Sequence, residues 1–233
     1  MTFTLHTRLF IYLIFGFIFT TIIGTVTHEL GHIAIAKRMG YTPSLHYGFM
    51  NYTSEKHDKL ENYYDLHKKQ IQTPGTIESK QFKKMYDNVE NESFLVTLGG
   101  PTQTMVTGTL GFLMIWFNRK SIKAQLTFLQ WAFVFLAFFW SRQIFNFIFS
   151  YVAYIVNGKF SSGGDEPRIS RYLEIPQWSF GLITATIAAI LLGYVTFVLI
   201  PKQQRFTFIA AGIAGSGIGF ILWMEVLGPV ILP

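Results

Sequence analysis

Apolar residues collect in this chain into runs too long for the core helices of a soluble domain. The first run covers residues 9–36, and ionisable groups appear only near its end. It exceeds the roughly 7–15 apolar residues of a secretory signal core, and no small-residue cleavage pattern breaks it. A second run covers residues 94–117, with Gly99-Gly100-Pro101 predicting a break near its start. Residues 128–156 form a third, interrupted by Ser141-Arg142-Gln143; about 29 residues make roughly 43 Å of helix, which favours one tilted or protruding crossing over two. Fourth and fifth runs cover 178–200 and 206–227. Each approaches the roughly 20 apolar residues that span a bilayer.

Between the first two runs lies a polar insertion, residues 37–92, with nine Lys/Arg and eight Asp/Glu. Residues 47–52 read as a short strand by their aromatics, and Thr73-Pro74-Gly75 as a turn. Phe82, Met85, Tyr86 and Val89 recur at i, i+3, i+4, i+7 beside Lys80, Lys83 and Lys84, which predicts a basic amphipathic helix over 79–92. Such a helix lies on a membrane surface or caps the spans. The expected architecture is all-α: a single multi-pass transmembrane bundle over 1–233, of about five spans, with the small insertion between spans one and two. Composition agrees. Half of the residues are hydrophobic and only 14% are charged, against about 25% charged in soluble domains.

The net charge of +6 raises the question of nucleic acid. No nucleic-acid motif is present, and the basic residues sit beside apolar spans, where they set topology and meet anionic lipid. The expected surroundings are therefore the lipid bilayer, with no nucleic acid. Near the span ends, eight basic residues on the side of the insertion against six on the other lean towards a cytoplasmic face for that side. The chain has no cysteine, which removes disulfides, thiolate metal ligands and cysteine nucleophiles together.

The chemistry concentrates in His28-Glu29-Leu30-Gly31-His32. On a helix the two histidines lie four apart on one face and can hold one metal ion, with Glu29 beside them as a general base. Ionisable groups inside an apolar span are costly unless they pair or bind something. Catalytic zinc takes three protein ligands and a water, so one ligand must come from elsewhere. Ile35 and Arg38 stand where a continued Gly and His motif would supply it. The acid candidates are Asp165, Glu166, Glu174 and Glu225. If residues 128–156 cross once, Asp165 emerges on the side of the motif and of Gly99-Gly100-Pro101. Arg142, Asn146 and Ser150, at i, i+4, i+8, form a polar stripe facing the other helices.

These three features, in this order, resemble the site-2 protease family of intramembrane zinc metalloproteases, over roughly residues 9–175. The resemblance implies His28, His32 and Asp165 as zinc ligands and Glu29 as general base. It also implies a substrate-binding role for Gly100, Pro101, Gln103 and Thr104, and a membrane-protein substrate cut within a single transmembrane helix. Two positions depart from the family pattern: Glu166 stands where Gly usually follows the ligand, and Thr104 stands where Asn is common. A protease-like scaffold without catalysis and a metal or proton transporter are the alternatives; the transporter predicts paired broken helices in two related halves, and no such symmetry is present. Elsewhere, His46, His57 and His67 read as solvated, Glu225 as interfacial, and Asn51 and Asn91 as glycosylation sequons only if their side is lumenal. Ala211, Gly215 and Gly219 predict close helix packing, within the chain before any partner.

Overall fold

The computed structural model of the protein describes residues 5–160 and 163–233; Ser161 and Ser162 of the predicted polar loop lie outside them. The chain is nearly all-α. Helix α1, Thr7–Arg38, is the first apolar run in one piece. Its threonines do not disturb it, because Thr20, Thr21, Thr25 and Thr27 each return a hydroxyl bond to the carbonyl four residues back, at 2.7–2.9 Å. Lys37 and Arg38 close its last turn, where positive charge suits the helix dipole.

The predicted strand at 47–52 is shifted. The structure places an antiparallel pair, β1 Thr42–Leu45 and β2 Met50–Thr53, in register from Thr42 opposite Thr53 to Leu45 opposite Met50. His46 N–H closes the intervening loop on Phe49 C=O at 3.0 Å, so residues 46–49 turn instead of extending. Tyr41 is buried and stacks on Tyr52 at 4.9 Å, which seats the hairpin over the end of α1. Helix α2, Glu55–Ile71, starts at a Ser54 cap, and the expected turn at 73–75 follows, with Gly75 at φ +88°.

Helix α3, Ile77–Phe117, corrects a larger expectation. The amphipathic segment 79–92 and the second run are one helix, and the break at Gly99-Gly100-Pro101 does not occur. Proline inside a helix costs about 3 kcal/mol in isolation, but here Gly99, Gly100 and Pro101 are all buried against neighbouring helices. Packing overrides the local preference. The helix is about 60 Å long, twice the roughly 30 Å hydrocarbon thickness.

Residues 128–157 form one crossing-length rod: α4 Phe128–Ala137, a 3₁₀ turn Phe138–Trp140, and α5 Ser141–Asn157. Helix α6 is Asp165–Tyr172, α7 Ser179–Tyr194, α8 Lys202–Ile221 and α9 Gly228–Ile231. Among the described residues four helical rods are long and apolar enough to cross a membrane: Thr7–Arg38, Phe128–Asn157, Ser179–Leu199 and Lys202–Ile231. The second predicted span is not among them, because its threonines and glycines dilute its hydropathy. Large apolar side chains face outward on these rods, among them Tyr12, Phe19, Ile190 and Ile213. Both features suggest an integral membrane protein.

The predicted small-residue face packs within the chain. A β-carbon on Gly215 would lie 2.8 Å from the Ile14 carbonyl oxygen, and one on Gly219 2.9 Å from Ile18 Cα, so α8 rests directly on α1. Phe17 then meets Phe135, Phe138 and Phe208 at ring distances of 5.2–5.7 Å. This aromatic cluster fills one end of the bundle and holds α1 while its other end carries the polar motif.

Candidate metal centre

His28, Glu29 and His32 lie on the inward face of α1, at 1%, 5% and 6% exposure, so the motif is inside the protein and not at its edge. Two glycines let α3 come this close. A β-carbon on Gly31 would stand 2.5 Å from the Gly99 carbonyl oxygen, and one on Gly99 2.5 Å from that of Gly31. One residue on, a β-carbon on Gly100 would sit 2.3 Å from His32 Nε2 and 2.5 Å from His28 Nε2. Only hydrogen fits there.

The second ring nitrogens fix the tautomers. His32 Nδ1 is 2.7 Å from the Val96 carbonyl oxygen, which only accepts, so Nδ1 carries the proton. His28 Nδ1 is 2.9 Å from Thr104 Oγ1. That hydroxyl gives its own proton to the Gly100 carbonyl at 3.1 Å, so its lone pair takes the His28 Nδ1–H. In the neutral rings both Nε2 atoms are then acceptors. Such anchoring of the far nitrogen is the usual support of a metal-bound histidine.

Asp165 completes the cluster. It is the first residue of α6, and Gly164 before it adopts φ +108°, a backbone state that side-chain-bearing residues rarely take. This turn delivers Asp165 Oδ2 to 2.9 Å from His28 Nε2 and 3.3 Å from His32 Nε2, with the two Nε2 atoms 3.2 Å apart. With both rings neutral, three acceptor atoms converge here, and a cation between them would satisfy all three. An ion held about 2.0–2.2 Å from each ligand in a tetrahedron sets the ligand atoms roughly 3.3 Å apart. The His28, His32 and Asp165 group can hold a metal ion.

The other candidates are placed elsewhere. Glu166 turns away and accepts from Asn146 Nδ2 at 3.0 Å; burial pushes its carboxyl up. Glu174 and Glu225 are exposed and do not join the cluster. Thr104 and Gly100 touch the histidines, Pro101 is buried, and Gln103 lies over Gly31 with its amide on Thr107 Oγ1 at 3.1 Å. His46, His57 and His67 are half-buried against aromatic rings rather than freely solvated. Two contributors carry more than the sequence reading assigned. The Val96 carbonyl orients His32, and a backbone oxygen has no sequence signal. Arg142 Nη2 stands 3.9 Å from Glu29 Oε1, so the polar stripe of α5 faces the motif itself.

No protein-family model matches the chain, and neither the curated proteins nor the solved structures contain a match. The functional reading rests on the donor set.

Proposed function

We propose that the protein is a multi-pass, zinc-dependent intramembrane endopeptidase of the site-2 protease type, cutting a single transmembrane segment of another membrane protein. The convergence of His28 Nε2, His32 Nε2 and Asp165 Oδ2 at metal-ligand spacing carries this reading, and Glu29 beside them turns a metal site into a hydrolytic one. Two imidazoles and a carboxylate suit zinc and leave its fourth position open. Bound there, the ion supplies a Lewis acid that polarises a carbonyl and acidifies water.

Glu29 takes the proton of the attacking water and passes it to the leaving amine. Thr104 and the Val96 carbonyl hold the two imidazoles in the ligating tautomer. Gly100 keeps α3 against the ligands, and the surrounding helices exclude lipid while water enters from the end that carries the hairpin. The α3 half that follows Gly99 serves as a further span in this reading, giving five, and the active site faces the cytoplasmic side. The substrate helix must unwind locally, since a helix hides its peptide bonds. Glu29→Gln is expected to keep the metal and lose cleavage of a reconstituted transmembrane substrate. Cleavage at wild-type rate in that variant would refute the mechanism.

A further inference from the structure

The 3₁₀ turn at Phe138–Trp140 joins α4 to α5, and α8 lies against α1. The space between these helices is a cavity of about 530 Å³. Its walls are mostly apolar, with Phe17, Phe145 and Phe220 among them. Its polar residues include Thr104, Arg142 and Asn146; Thr104 holds His28 and Arg142 faces Glu29, while Asn146 holds Glu166, the neighbour of Asp165.

Arg142 stands out among them. Its contact with Glu29, at 3.9 Å, is beyond hydrogen-bond reach. Its Nε is buried with no acceptor among the described residues. Arginine within an apolar helix is costly and marks a functional position unless its donors are matched. Here they are not, although the charge lies close enough to act on His28, Glu29 and Glu166. The guanidinium presents a fork of N–H groups that fits oxygen anions.

We propose that Arg142 makes the cavity end beside the metal centre an anion-binding site, and that during peptide hydrolysis it receives the oxyanion of the scissile carbonyl. This rests on the metal-centre reading above. In the step, a water oxygen bonds to the carbonyl carbon and the C=O π pair moves onto oxygen, where Arg142 N–H groups donate to it. Glu29 holds the water's proton. Collapse restores the C=O bond, breaks the C–N bond and returns that proton to the departing amine. Arg142 is then a catalytic residue and not only the counter-ion of Glu29.

The test loads purified protein with Co(II) and titrates it with acetate, read in the visible cobalt bands. Wild type, Arg142→Gln and Arg142→Lys are expected to take up the same cobalt per chain. Acetate should bind Arg142→Gln on the order of 10- to 100-fold more weakly than wild type, with Arg142→Lys between them, since a point charge replaces the fork. If Arg142→Gln does not fold, a weaker acetate site in Arg142→Lys carries the result. Unchanged acetate affinity in the variants overturns the proposal and leaves the metal centre standing. Loss of cobalt from folded Arg142→Gln also overturns it, because Arg142 would then only support the ligands. Wild-type protein that takes up no cobalt overturns the metal-centre reading together with the proposal.

Discussion

Gly100→Ala probes the crossing of α1 and α3 with a single methyl group. That carbon would lie 2.3 Å from His32 Nε2 and 2.5 Å from His28 Nε2. Ordinary contact begins near 3.5 Å, so the imidazoles or the helix must move by about 1 Å. Metal–ligand distances tolerate only about 0.2 Å, and neither ring is free to retreat: His28 is tied to Thr104 and His32 to the Val96 carbonyl. At least one ligand is therefore lost. Zinc affinity should fall by on the order of 10²-fold or more, the upper end of what disturbing the support of a ligand costs, and overpacking should remove about 1–3 kcal/mol of stability. Gly193→Ala is the control, since nothing lies within 4 Å of its added carbon. Competition with a chromogenic chelator in detergent reads the affinity, and thermal unfolding reads the stability. Wild-type zinc affinity in Gly100→Ala would refute the close-approach argument.

Two other perturbations test parts of the structure away from the ligands. Gly215→Leu drives a side chain into the α1 backbone, where even a β-carbon would stand 2.8 Å from the Ile14 carbonyl oxygen; a loss of about 1–3 kcal/mol is expected by thermal unfolding, and an unchanged midpoint would contradict the packing. Burial opposes charge on Glu92, but hydrogen bonds from Lys56 at 2.7 Å and Tyr41 at 2.5 Å outweigh it and hold its carboxyl below the usual glutamate range. A depressed folded value means that this stabilisation is complete above the unfolded value of about 4.3 and is lost as pH falls through the lower folded value. Glu92→Gln should flatten the acid limb of a stability–pH profile, and an identical limb would refute the assignment.

What was legible in the sequence follows from how each feature is encoded. The apolar runs are collective signals, and the rods at 7–38, 128–157, 179–199 and 202–231 follow them closely. His28 and His32 announce themselves because their spacing is the helix repeat. Asp165 carries no local signal; it stands as one of four acid candidates, favoured by the single crossing of residues 128–156 and by the resemblance of its surroundings to the family pattern. The break expected at Gly99-Gly100-Pro101 failed for a tertiary reason: the same glycines that weaken a helix allow the α1–α3 contact that holds it. Tyr47 and its neighbours look like a strand by composition, but the loop bond from His46 to Phe49 sets the register three residues later. The Val96 carbonyl was illegible, since every residue has one. Arg142 and Asn146 were visible as a stripe, yet only three-dimensional placement shows that the stripe meets Glu29 and Glu166.

The central claim is that His28, His32 and Asp165 form one zinc site. Zinc per chain in detergent-purified protein, compared between wild type and Asp165→Asn, tests it most directly. About one zinc in wild type and a sharp fall in the variant are expected. A folded wild-type protein without zinc, or a variant that retains it in full, would contradict the account.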